Sequence, residues 1–341
     1  MSVPTRNGMK YVVSALLTIG FLYLAFRGTD LSGLYQSVLS VNYGWMVVNV
    51  ALLHISHGFR AWRWRFLLNP IKRSISIRTL FSGVMVGYLM NNVLPRAGEI
   101  VRPYALGRKE HISKSAALGT ILVERIIDTA TFLALVAIIP LVYDGPLKES
   151  FPWLEESGTV VAITMIVVLG VMVTLMIRRD WTDRLLAICG HILPNSLVGR
   201  LERFVHSFLD GFLFLKNPEA SVVIIVLSVV VWGVYVLMTY AAFFAFDLQG
   251  VLGIRAAIVV LAISSIGFAV PTPGAAGTYH FFTSQTLIKL FGIDNSTALG
   301  FSTVTHGAGF IGTTLVGLYF LLKDHVSVHD AVAEKPAEPA G

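Results

Sequence analysis

The sequence predicts an all-α polytopic membrane protein. Its plan is an inverted repeat: two spans, a broken or re-entrant helical hairpin and a long span in each half. Three observations lead there. Mean hydropathy is +0.72 and only 13% of the 341 residues are charged. Apolar segments recur that approach or exceed the roughly 20 residues needed to cross a ~30 Å hydrocarbon core. Finally, two of these segments end in matching Pro-x-x-Gly breaks, Leu94-Pro95-Arg96-Ala97-Gly98-Glu99 and Pro271-Thr272-Pro273-Gly274-Ala275-Ala276-Gly277. Gly/Pro-interrupted apolar segments at corresponding places in two halves point to a transporter substrate site.

The elements follow in order. Segment 11–26 comes after Arg6 and Lys10 and lacks a small-residue cleavage site, so it reads as a retained helix rather than a signal peptide. Segment 43–59 follows. Beyond it, Arg60, Trp62, Arg63, Trp64 and Arg65 read as an interfacial belt that anchors the chain and touches headgroups. His54 and His57 have a spacing that could bind metal, but no third or fourth ligand accompanies them, so no metal and no cofactor are expected. Segment 79–94 runs into the first break, the weaker stretch 98–107 follows, and 116–143 opens with Ala117-Leu118-Gly119.

The second half repeats this order as 159–177, 220–246, 255–270, the second break, 277–292 and 296–322, the last with Ala298-Leu299-Gly300. The division is 1–150 and 151–325. A polar insert at 178–219 holds His206, Phe208, Leu209, Phe212 and Leu213 among charges, as an amphipathic helix lying on the bilayer would. The tail 326–341 is rich in Ala, Glu and Pro and is expected to be disordered.

Net charge is +6. Basic residues collecting in cytoplasmic loops against anionic lipid explain that excess better than nucleic acid does, and no nucleic-acid partner is expected. The single cysteine, Cys189, excludes an intrachain disulfide.

Charge placement sets the topology. Stretch 60–78 has six basic residues and no acidic ones; 96–114 has five basic and two acidic; 143–158 has one basic and four acidic. If 79–94 and 98–107 enter from the cytoplasm and return, all but five of the 26 Lys and Arg are cytoplasmic or on that hairpin. The exceptions are Arg27, Lys148, Arg255, Lys289 and the intramembrane Arg125. Each half then crosses an odd number of times, the halves are inverted, and both termini are cytoplasmic. A hairpin whose arms cross completely has the same parity. The competing reading makes both breaks ordinary kinks in an eight-span bundle.

Several ionisable residues lie where lipid makes charge costly. Arg96, Glu99 and Arg102 flank the first break. Two guanidiniums beside a helix N-terminus freed by Pro95 and Gly98 suit a phosphate; in the alternative, Arg96 pairs with Glu99 and Arg102 anchors at the interface. Glu124 and Asp128 share a helix face with Arg125 alongside, either lining a headgroup path or locking helices as an intramembrane ion pair. When the two Ala-Leu-Gly elements are aligned, Thr305 and His306 fall where Glu124 and Arg125 do. Tyr279 and His280 follow the second break, whose hinge residues Pro271, Pro273, Gly274 and Gly277 carry no charge.

The stretch Leu94-Pro95-Arg96-Ala97-Gly98-Glu99-Ile100-Val101-Arg102-Pro103-Tyr104 and the later Ala116-Ala117-Leu118-Gly119-Thr120-Ile121-Leu122-Val123-Glu124-Arg125-Ile126-Ile127-Asp128 resemble the membrane region of the lysylphosphatidylglycerol synthase/flippase family. Pro271-Thr272-Pro273-Gly274-Ala275-Ala276-Gly277 resembles that family's Pro-x-Pro-Gly-Gly-x-Gly region, with Ala275 where Gly is commoner. The resemblance spans essentially the whole chain. It implies lipid translocation in the cytoplasmic membrane by a transporter without the soluble synthase domain. The expected substrate carries phosphate, whether anionic or aminoacylated, and movement is downhill or coupled to protons or ions. Partners are membrane lipids, with a homo-oligomer left open. Two other classes stay open: an intramembrane enzyme acting on lipid or polyprenyl phosphate through His280 or His306, and a scaffold for an envelope-synthesis enzyme.

Overall fold

A computed structural model describes residues 6–145, 147–152, 178–190, 195–210 and 217–325, with single positions at 214 and between 160 and 174. Segment 159–177 is covered only at those positions. Phe212, Leu213 and the tail 326–341 lie outside the described residues.

The described elements are helical. In order they are α1 (Arg6–Phe26), α2 (Leu31–Leu39), α3 (Tyr43–Leu68), α4 (Ile77–Val93), α5 (Gly98–Glu110), α6 (Lys114–Val142) and α7 (Leu147–Ser150). Then come α8 (Arg179–Gly190), α9 (Asn195–Asp210), α10 (Pro218–Ala245), α11 (Ile254–Gly267), a 3-10 turn at Pro273–Ala275, α12 (Thr278–Phe291) and α13 (Asn295–Lys323). Side-chain caps start six of them: Asp30, Asn42, Ser76, Ser113, Asn217 and Asp294 each accept from a backbone N–H of the first turn.

Among the described helices, α6, α10 and α13 are long and apolar enough to cross a membrane alone, and the pair α1–α2 would do so around a 90° bend. Gly28, at φ 76°, lets the chain turn into α2. Nine residues are too few for α2 to register as a span, and the hydropathy pattern missed it. The apolar segment at 43–59 extends as helix to Leu68, so Arg60, Arg63 and Trp64 are helical residues and not a loop. The polar insert contains two helices, α8 and α9, where one was expected.

Both Pro-x-x-Gly breaks reverse the chain. At the first, Arg96 adopts φ 60°, and the Asn91 side chain accepts from the Gly98 N–H at 2.8 Å. A β-carbon on Gly98 would lie 2.0 Å from the Gly87 carbonyl oxygen, so α5 folds back on α4 at a contact that needs glycine at position 98. At the second, Gly274 and Gly277 take φ 56° and 83°. Thr278 donates to the Gly267 carbonyl at 2.7 Å, and Thr283 donates to Ser264 at 2.8 Å, closing α12 against α11. Neither break is a kink within a continuing helix.

The longest helices show where the hairpins lie. Along α13, Thr305 meets Tyr279, His306 meets Gly274, Thr313 meets Asn92, Gly317 lies against Met85 and Leu89, and Phe320 packs on Phe81. The first half of α13 therefore runs beside α12 and its second half beside α4, with both hairpin tips at its middle. The tips touch: Arg96 donates to the Ala269 carbonyl at 3.4 Å, and a β-carbon on Gly274 would stand 3.3 Å from the Asn92 amide oxygen. Helix α6 makes the converse journey, from Arg102 of α5 to Val259 and Ile263 of α11. At 29 residues, each of these helices is about 43 Å long at 1.5 Å per residue.

The hairpin bases sit at opposite ends of the bundle. Ser82 and Lys109, at the base of the first, bond Asp324 at the end of α13. Tyr143, after α6, donates to Leu290 near the end of α12. Helix α3 pairs antiparallel with α10, from the Asn42 N–H on Ala245 through Asn49 on the Met238 carbonyl to Arg63 on Ser228.

Candidate functional site

The site grows from Glu124 and Asp128, one turn apart on α6 and inside its apolar run. Arg102 of α5 grips Glu124 through both guanidinium ends, at 3.1 and 3.0 Å, and lies over the Trp64 ring with 3.7 Å to the centroid. Trp64 is fixed by its own indole N–H on Thr120 at 2.9 Å. From α3, Arg60 donates to Asp128 at 2.7 Å, to Glu124 at 3.3 Å and, through Nε, to the Tyr235 hydroxyl of α10 at 2.8 Å. Arg63 donates to Asp128 at 2.7 Å and to Ser228 at 2.9 Å. Arg125 completes the set on Glu124 at 2.9 Å and Asp128 at 3.2 Å.

Two carboxylates thus hold four guanidiniums and tie α3, α5, α6 and α10 together. Glu124 and Arg63 are fully buried, whereas the Arg125 side chain is 39% exposed. Beside Arg60's turn, His57 is buried and stacks on Tyr88 of α4 at 4.2 Å between ring centroids. His54 is 6.1 Å from His57, centroid to centroid.

Glu124, Arg125, Asp128 and Arg102 of the expected set meet here. Arg96 does not join them: it is exposed at the hairpin tip and reaches the second hairpin at Ala269, and Glu99 is half-buried. The expected clamp of Arg96 with Arg102 is divided: Arg96 reaches the Ala269 carbonyl of the second hairpin, whereas Arg102 is buried on Glu124. Arg60, Arg63 and Trp64 need correction. They are buried members of the cluster, while Trp62 and Arg65 are exposed as a belt requires. Their signal was the Arg60/Arg63 spacing on one helix face, which two intramembrane carboxylates call for.

Tyr279, His280 and His306 gather at the second tip. The two histidine rings lie 4.8 Å apart and Tyr279 is 5.6 Å from His306, between centroids. The His306 Nε2 meets the Gly274 carbonyl at 2.8 Å, and Tyr279 shares a hydrogen bond with Thr305 at 3.2 Å. Each long helix therefore uses the same aligned position, Glu124 in α6 and Thr305 in α13, to hold the returning arm of its own hairpin. One contact is ionic and the other neutral. Among the described residues no group of three or more His, Cys, Asp or Glu could hold a metal.

The fold and this buried cluster define a polytopic helical integral membrane protein with a charged site inside its bundle. The chain belongs to the family described as "Lysylphosphatidylglycerol synthase TM region", which matches residues 11–317. It is 25% identical to a UPF0104 membrane protein of Methanocaldococcus jannaschii, over 90% of this chain and 93% of that one. It is 29% identical to a UPF0104 membrane protein of Methanothermobacter thermautotrophicus, over 63% of this chain and 66% of that one. Similarity to the glycosyltransferase AglD of Haloferax volcanii, at 22% identity, covers 95% of this chain and 56% of AglD. No solved structure matches.

Proposed function

We propose that the chain is a lipid flippase of the cytoplasmic membrane, moving a lipid with a phosphate-bearing headgroup between leaflets. The observation that carries this reading is the buried arginine-rich cluster beside a helical hairpin whose tip touches a second hairpin. The phosphate docks at the reachable edge of that cluster, at Arg125, while the acyl chains stay in lipid. Arg96, at the meeting of the tips, passes the headgroup toward Tyr279, His280 and His306.

The two halves, 1–150 and 151–325, act as an inverted repeat with both termini cytoplasmic. Supporting this are the head-on meeting of the tips and the equivalent use of Glu124 and Thr305. Opening one hairpin while the other stays closed gives alternating access. Movement is downhill or coupled to ions, and the lipids themselves are the partners. Cysteine labelling at Arg108 and Leu290 tests the inversion: reagent must reach them from opposite sides, and access from one side removes it.

A second reading is an enzyme acting on lipid or polyprenyl phosphate. The close His280–His306 pair and the likeness to a glycosyltransferase favour it. A product assay on purified protein with lipid phosphates separates the two. Redistribution without chemical turnover supports the flippase, and turnover supports the enzyme.

A further inference from the structure

The cluster's charges do not balance. Arg60, Arg63, Arg102 and Arg125 face Glu124 and Asp128, which leaves two positive charges. Among the described residues, the groups packed around them from α3, α4 and α10 supply no further carboxylate: they are His57, Tyr88, Tyr235 and Ser228. Uncompensated charge at bilayer depth is costly and marks a ligand or a partner.

Donors are in excess as well. The Nε atoms of Arg63, Arg102 and Arg125 have no hydrogen-bond partner among the described residues. Neither ring nitrogen of His57 has one, although that residue is 1% exposed. Buried donors without acceptors are rare, because each forfeits its hydration.

We infer that the cluster selects a lipid ending in a phosphate monoester dianion over one whose phosphate is a diester. This rests on the translocase reading and narrows its substrate. A monoester, with a second pKa of about 6, carries close to two charges at neutral pH and three strong acceptor oxygens. Both properties match what the cluster lacks. A diester carries one charge and leaves the site one positive charge in excess. Arg125, the half-exposed guanidinium, is where the dianion enters.

The test compares acyl-labelled phosphatidic acid with identically labelled phosphatidylglycerol, each in vesicles holding the full-length protein, by loss of label to a membrane-impermeant quencher. The monoester should redistribute about tenfold faster, the worth of roughly one charge-assisted hydrogen bond. Arg125→Gln should bring the ratio toward one, while Arg125→Lys, which keeps the charge, should preserve most of it. Equal or faster movement of the diester overturns the inference and leaves the translocase standing. Movement of neither lipid above protein-free vesicles overturns the translocase itself. Protein-dependent uptake of inorganic phosphate into the vesicles, with no movement of either lipid, assigns the site to the free ion and overturns the lipid assignment.

Discussion

Arg102 and Glu124 pair end-on across α5 and α6, with both guanidinium ends on both carboxylate oxygens and the guanidinium lying over Trp64. That pair clamps the returning arm of the first hairpin to a membrane-long helix. It gives Glu124 the helix-locking duty that the sequence offered as the alternative to lining a headgroup path.

Glu124→Gln therefore strips four guanidiniums of a shared counter-charge. Breaking one partner of a buried ion network costs about 3–5 kcal/mol. The expected outcome is a marked fall in the thermal midpoint of the purified protein, well beyond that of Arg125→Gln, whose side chain is half-exposed. Equal midpoints for the two variants would show that Glu124 does not hold α5 in place.

The glycine contact between the arms of the first hairpin is equally specific. Gly98→Ala sets a methyl 2.0 Å from the Gly87 carbonyl, so backbone must move, and overpacking of this kind costs about 1–3 kcal/mol or more. Gly58→Ala is the control, since nothing lies within 4 Å of its added β-carbon; relief of glycine's entropy leaves it neutral or more stable by up to about 1 kcal/mol. Thermal unfolding of the two variants in detergent should rank them in that order.

The two breaks were legible because Pro and Gly interrupt otherwise continuous apolar sequence ahead of an Ala-Leu-Gly element in each half. Glu124 and Asp128 were legible through their four-residue spacing in such a run. Arg60 and Arg63 were not, because hydropathy falls where they begin and a falling profile looks the same whether the helix ends or carries on into a polar core. Tyr88 and Tyr235 carry no local pattern; only tertiary packing brings them to Arg60 and His57. Arg96 turns left-handed at the hairpin tip, and arginine gives no sequence sign of that conformation.

Locking the tips should stop movement. With Cys189 replaced by Ser, Asn92→Cys and Gly274→Cys are expected to cross-link under oxidation, because the two residues face each other across the tips, with a β-carbon at 274 standing 3.3 Å from the Asn92 side-chain oxygen. Lipid redistribution in vesicles should fall on oxidation and recover on reduction. Unchanged rates in the cross-linked protein would mean that the tips do not part during transport.

At the base of the first hairpin, Asp324 responds to pH. Partial burial alone would raise its carboxyl, but hydrogen bonds from Ser82 and Lys109 and the nearby charge of Lys109 hold it below the usual carboxylate value. A depressed folded pKa contributes stability that is present above the unfolded value of about 3.9 and lost as pH falls through the folded one. Asp324→Asn should thus be less stable than the parent at neutral pH, and the gap should close only below about pH 4. Midpoints measured across that range would check it, and a pH-independent gap would remove the carboxylate's electrostatic role.

The most direct test of the proposed activity is leaflet exchange itself. Purified full-length protein is placed in vesicles with one labelled phosphate-bearing lipid, and the inner-leaflet label is followed with an impermeant quencher while the lipid is analysed for chemical change. The expected result is accelerated exchange of chemically unaltered lipid, reduced in Arg125→Gln. Exchange no faster than in empty vesicles, or conversion of the lipid to a new product, would contradict it.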